Sequence, residues 1–132
     1  MAYTGRCHCG AIHYQLEGRP NAVSVCHCSD CRRNAGAPMV VWAGFPETAL
    51  AVTKGTPKTF NSSGTAIRSF CGNCGTGLFY RNEKILPGIV EVQSSTLDDP
   101  DALPPTVQIQ MAERLGWVER LHEMPGYDRF PE

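Results

Sequence analysis

The sequence predicts a mainly β domain, built from antiparallel strands stapled by metal and carrying little helix. Three observations carry that prediction. Ten prolines and thirteen glycines punctuate 132 residues too often for a helical bundle. Short apolar runs, the first of them alternating with polar residues, recur between these breaks. Seven cysteines fall into three tight clusters, at 7/9, 26/28/31 and 71/74, which suits short strands that deliver ligands to a metal.

The elements follow in order. Ala11–Glu17 alternates apolar and polar residues and predicts a half-exposed strand. Gly18–Asn21 is a turn, and Ala22–Val25 a short strand running into the second cysteine cluster. Ser29–Asn34 fits one short helical turn, ended by Gly36 and Pro38. Met39–Ala43 reads as a buried strand, followed by strand-like runs at Leu50–Thr53 and Lys58–Phe60. Asn61–Gly64 is strong turn chemistry before the strand Thr65–Phe70, which delivers the third cluster. Leu78–Arg81 and Ile89–Gln93 continue the strand series, and Asp98–Leu103 suggests a helical turn ahead of Val107–Met111.

Length and composition set the class. With 132 residues, 42% of them hydrophobic, and no linker or repeat, the chain is expected to form one domain over 1–132. The formal charge of −1 provides no basic surface for tracking phosphates, so a nucleic-acid partner is not expected. No apolar run approaches the roughly 20 residues that span a bilayer, and Met1–Arg6 lacks a signal-peptide core. A cytoplasmic protein, monomeric or homodimeric, is the expectation.

The cysteines carry the chemistry. An odd count in close pairs, without an export signal, argues against a disulfide framework and for metal. Buried apolar cysteine is the plain alternative for a lone residue, but it does not suit three clusters. Structural zinc closes a tetrahedral shell, whereas catalytic zinc keeps one corner free. Counting ligands pairs Cys7 and Cys9 with Cys71 and Cys74 as a four-thiolate site that closes a loop of about sixty residues. Cys26, Cys28 and Cys31 remain as an open three-thiolate site, giving two zinc ions per chain. Alternatives stay open at this point: His27 or His8 as a fourth ligand to the triplet, an iron–sulfur cluster, or a redox pair at Cys71 and Cys74.

Three segments also carry a resemblance. They are Gly5-Arg6-Cys7-His8-Cys9-Gly10, Cys26-His27-Cys28-Ser29-Asp30-Cys31-Arg32-Arg33 and Phe70-Cys71-Gly72-Asn73-Cys74-Gly75. In this order, and with Thr96-Leu97-Asp98-Asp99-Pro100, Trp117 and the closing Gly126–Pro131, they resemble the glutathione-dependent formaldehyde-activating enzymes, a family that includes centromere protein V. The resemblance implies a zinc-stapled β-tent of antiparallel sheets. It also implies a structural zinc on Cys7, Cys9, Cys71 and Cys74, with a working zinc on Cys26, Cys28 and Cys31. The implied activity is a carbon–sulfur lyase or synthase acting on a thiol adduct such as S-hydroxymethylglutathione. Two segments depart from the family pattern, Pro104–Ile109 and Arg114–Trp117, and both bear on substrate choice.

From this follow the remaining expectations. A small-molecule thiol, glutathione or similar, takes the open corner as a thiolate and its sulfur attacks an aldehyde carbon. Arg32 and Arg33, directly after the triplet, are the candidate carboxylate-binding residues. Trp42, Phe70, Phe79 and Tyr80 are read as core, His13 as exposed, and no general acid or base is assigned. A zinc-stabilised binding module without chemistry is the competing function, and a redox sensor a third.

Overall fold

The computed structural model describes residues 2–131. Ten strands form two sheets. A three-stranded sheet has the order β1–β2–β5, from Ala2–Arg6, His13–Glu17 and Leu50–Lys54. A seven-stranded sheet has the order β10–β3–β4–β9–β8–β7–β6. Its strands are Val107–Ile109, Ala22–Cys26, Val40–Pro46, Ile89–Gln93, Gly77–Arg81, Ala66–Phe70 and Lys58–Ser63. Every pairing is antiparallel except β10 beside β3. Among the described residues one α-helix, α1 at Ser29–Ala35, and several 3₁₀ segments make up the remaining regular structure.

Period-two alternation gives the large sheet two different faces. Val23, Ala43, Phe45, Phe79, Val90 and Val92 point one way and are buried in the main core with Tyr14 and Leu16 of the small sheet. The opposite face carries Ser24, Trp42, Glu91, Tyr80 and Arg68, and the second cysteine cluster lies over it. A row of paired residues crosses that face from strand to strand: Gly44 beside Glu91, Glu91 beside Tyr80, and Tyr80 beside Arg68.

The strands lie where the apolar alternation places them, with two corrections. First, the turn expected at Asn61–Gly64 falls later: Asn61, Ser62 and Ser63 remain in β6, and the chain reverses at Gly64 and Thr65. A register shift between Asn61 and Ser63 accommodates this, with Asn61 Nδ2 donating to the Gly64 carbonyl at 2.9 Å. Second, β1 carries no alternating apolar pattern and was not expected. It forms because the Tyr14 ring lies over Gly5, where its hydroxyl meets Thr96 Oγ1 at 2.6 Å. A side chain at position 5 would collide with that ring. Gly5→Ala is therefore expected to lower stability by about 1–3 kcal/mol, read as an earlier denaturation midpoint with an unchanged slope. Unchanged stability would mean the Tyr14 ring is free to move away.

Among the described residues, no helix is long and apolar enough to cross a membrane.

Candidate metal centre and its cavity

β1 ends one residue before Cys7, and Cys71 follows β7 directly, so two strands from different sheets bring their cysteines together. The four sulfurs of Cys7, Cys9, Cys71 and Cys74 lie within 4.8 Å of one another. Cys7 and Cys9 are 3.7 Å apart at sulfur, and Cys9 and Cys71 are 3.9 Å apart. A tetrahedral zinc bonded to each sulfur at about 2.3 Å needs edges of about 3.8 Å, whereas a disulfide needs about 2 Å. All seven cysteines are free.

Each of the four sulfurs has a hydrogen-bonding group beside it. Ile12 N donates to Cys7 Sγ at 3.3 Å and Asn73 N to Cys71 Sγ at 3.4 Å, while Asn73 Nδ2 donates to Cys9 Sγ at 3.3 Å. Thr76 Oγ1 lies 3.2 Å from Cys74 Sγ, and that hydroxyl is the main reason its thiol is lowered to about 5. Gly75, at φ 84°, lets the knuckle turn back so that its amide donates to the Cys71 carbonyl at 2.8 Å. The donor set, spacing and N–H groups at sulfur all fit a closed metal site.

The second cluster is built by β3 and α1. Cys26 closes β3 and is buried, Cys28 is the N-cap of α1, and Cys31 lies on its inward side. Cys28 Sγ accepts from Cys31 N at 3.3 Å, the capping geometry a serine or aspartate usually supplies. These three sulfurs also lie within 4.8 Å of one another, and no fourth cysteine, histidine or carboxylate joins them among the described residues. His27 is fully buried but faces elsewhere. Its Nε2 lies 2.9 Å from Gln108 Oε1, tying the cluster to β10, and its Nδ1 has no partner. His8 is likewise outside both sets.

The triplet opens into a cavity of about 380 Å³. Trp42, buried in a small core cluster as expected, also forms the cavity's aromatic wall with the half-buried Tyr80. Phe79 is in the main core as expected, whereas Phe70 is only half-buried and lines a separate groove. The Trp42 and Tyr80 rings lie under a buried arginine that sequence reading passed over. The Arg68 guanidinium is 5.0 Å from the Tyr80 ring centre and 6.0 Å from that of Trp42. It donates from Nε to Ser62 Oγ at 3.0 Å and from an Nη to Cys31 Sγ at 3.6 Å. The hydrogen bond with Cys26 draws the Cys31 thiol down to about 5; Cys28 and Arg68 act in the same direction, against burial. Cys26 is pushed up in turn, chiefly by that same bond to Cys31.

Arg32 and Arg33 do not reach this cavity. Arg32 Nε donates to the His27 carbonyl at 3.2 Å, and both arginines line a separate groove with Leu115 and Trp117. Gln110 and Glu113, in the chain after β10, line the cavity instead. Gln110 takes a left-handed conformation, φ 57°, that turns the chain back. Glu113 then accepts from Ser29 N at 3.0 Å, which pulls its carboxyl below the usual range. Glu91 is the half-buried acid among those lining the cavity, and burial pushes its carboxyl up to about 6, with the Cys31 charge adding to the shift. A lone charge inside each of the strands Ala66–Phe70 and Ile89–Gln93 is the sequence signal that marks Arg68 and Glu91.

The model of a family described as glutathione-dependent formaldehyde-activating enzyme matches residues 2–113. An uncharacterised lyase of Schizosaccharomyces pombe is 33% identical over 78 residues, which cover 59% of this chain and 56% of the relative. A putative glutathione-dependent formaldehyde-activating enzyme of Halomonas elongata is 28% identical over 128 residues, covering 90% of this chain and 81% of the relative. One from Colletotrichum graminicola is 28% identical over 120 residues, 88% and 56% of the two chains. The chain thus spans little more than half the length of the first and last of these. A crystal structure of a Rhodobacter sphaeroides protein superimposes with TM-score 0.64 at 26% identity, covering 80% of this chain and 98% of that one.

Proposed function

Since this chain belongs to the family of glutathione-dependent formaldehyde-activating enzymes, we propose that it makes and breaks a carbon–sulfur bond between a small-molecule thiol and an aldehyde, on the pattern of S-hydroxymethylglutathione. The observation that carries this reading is the unequal division of the cysteines. Four converge in a closed set, and three converge at the base of a cavity with no fourth protein ligand. A binding module held together by metal has no use for the incomplete set; chemistry on a sulfur does.

In this reading Cys7, Cys9, Cys71 and Cys74 hold a structural zinc, and Cys26, Cys28 and Cys31 hold a second. When bound at the open triplet, zinc supplies a Lewis acid that favours the thiolate form of an incoming sulfur. The protein's own residues do the rest. Arg68 places a cation against Cys31 and offsets the negative charge that three thiolates accumulate. Trp42 and Tyr80 give the sulfur and its carbon an apolar wall, which keeps water from competing for the aldehyde. In the forming direction the sulfur electron pair closes the C–S bond and the carbonyl pair moves onto oxygen, which takes a proton. The thiol has lost one proton and the oxygen has gained one, so thiol plus aldehyde gives the hydroxymethyl adduct without a redox partner.

The test is isotope exchange of ¹³C-formaldehyde with glutathione followed by NMR, since adduct formation also proceeds unaided. Protein at micromolar concentration is expected to raise the exchange rate at least about a thousandfold over the uncatalysed rate. No acceleration with glutathione or with smaller thiols would overturn the enzymatic reading and leave the binding module.

A further inference from the structure

We infer that Glu91 is the proton carrier of this site: its carboxyl protonates the aldehyde oxygen as the carbon–sulfur bond forms, and its carboxylate takes that proton back as the bond breaks. The assignment rests on the carbon–sulfur reading above and adds to it the acid–base group that the sequence leaves unassigned.

The geometry is specific. Glu91 lies in the middle of β9, between Val90 and Val92, which are fully buried in the core. Alternation turns Glu91 to the other face, where its side chain lines the same cavity as Cys31. Its neighbour across the strand pair is Gly44, and a Cβ there would lie 3.1 to 3.3 Å from the Glu91 carboxyl atoms. Glycine is a poor residue for the interior of a strand, and here it leaves room for a carboxyl group to lie across β4. Among the described residues that carboxyl forms no ion pair, and it is shifted by burial and by Cys31 alone, with no hydrogen bond contributing. A half-buried acid with no protein partner, facing a reaction cavity, is free to bond to a ligand.

The other candidates are engaged or misplaced. Glu113 caps Ser29 N, and Asp30 is exposed on the first turn of α1. Arg68, at the far end of the row beyond Tyr80, already donates to Ser62 and Cys31. Burial favours the neutral, proton-bearing form of the Glu91 carboxyl, which is the form that donates. The step balances: the proton leaves Glu91 Oε, the carbonyl π pair becomes the O–H bond, and the sulfur pair becomes the C–S bond. The proton released by the incoming thiol restores Glu91 through solvent.

The test compares zinc-loaded wild type, Glu91→Gln and Glu91→Ala in the formaldehyde exchange assay. Zinc content is read by native mass spectrometry and glutathione affinity by calorimetry. Glu91→Gln is expected to lower the exchange rate by about 10²–10³, with zinc content unchanged and thiol affinity within about threefold. Formate is expected to restore activity to Glu91→Ala, where the vacated space admits a small acid, and not to Glu91→Gln. A Glu91→Gln variant that keeps its rate within about threefold overturns the assignment while wild-type activity keeps the carbon–sulfur reading. So does a rate loss that comes with zinc loss or lost thiol affinity, which would make the residue structural. Wild type that accelerates nothing overturns the carbon–sulfur reading, and the assignment falls with it.

Discussion

Cys74→Ser is expected to leave the chain without a cooperative native state, or with a melting point lower by at least about 15 °C. Cys74 is only partly buried, and serine is close to its size, so packing alone would cost little. The loss comes from the metal. The four sulfurs join the loop after β1 to the loop after β7, a separation of more than sixty residues, and Cys7 and Cys71 are both about 1% exposed within the main core. Apparent zinc-binding free energies in small zinc domains are about 10–16 kcal/mol. The net stability of a whole domain is only about 5–15 kcal/mol. Removing one of four ligands therefore takes away a contribution comparable to the entire stability. Thermal melting followed by circular dichroism, with the native and variant chains each supplied with at least about two molar equivalents of zinc, reads the difference. A melting point within a few degrees of the native one would mean that the hydrophobic contact between the two sheets suffices without the site.

Cys28→Ser is expected to behave in the opposite way, with formaldehyde exchange reduced at least about a hundredfold and a melting point changed by only a few degrees. The reason lies in its local role. Cys28 caps α1 by accepting from Cys31 N, and serine is among the best residues for that position. The helix should therefore survive while the open site loses one of its three sulfurs. Cys26 and Cys31 are buried in a small cluster with Val40 and Trp42, so replacing either would mix a packing loss with the loss of the site. Cys28 separates the two. Equal melting losses in Cys28→Ser and Cys74→Ser would contradict the division into a holding site and a working site.

The grouping of the seven cysteines is legible in the sequence because the members of each cluster are sequence neighbours. Cys26, Cys28 and Cys31 follow one another across the junction of β3 and α1, and Cys71 and Cys74 share one knuckle, so spacing alone limits what they can do. The cavity wall is different. Trp42, Glu91, Tyr80 and Arg68 come from four strands, and only the registers of β4, β9, β8 and β7 bring them side by side. Alternation marks Glu91 and Arg68 as facing away from the core, but it does not distinguish solvent from a cavity under a helix. Arg32 and Arg33 show the converse. They stand next to the triplet in sequence, yet each residue of a helix turns by about 100°, so the positions after Cys31 rotate away from the cavity. β1 was hidden for a third reason: Gly5 is required by the Tyr14 ring above it, a contact between two strands.

The central claim, a four-ligand site beside an open three-ligand site, is tested most directly by counting zinc in native mass spectra of wild type and Cys28→Ser. The arrangement predicts two zinc ions on the wild-type chain, one for each cysteine group, and a single retained ion on the folded variant. One ion on wild type, or two still held by Cys28→Ser, would contradict it.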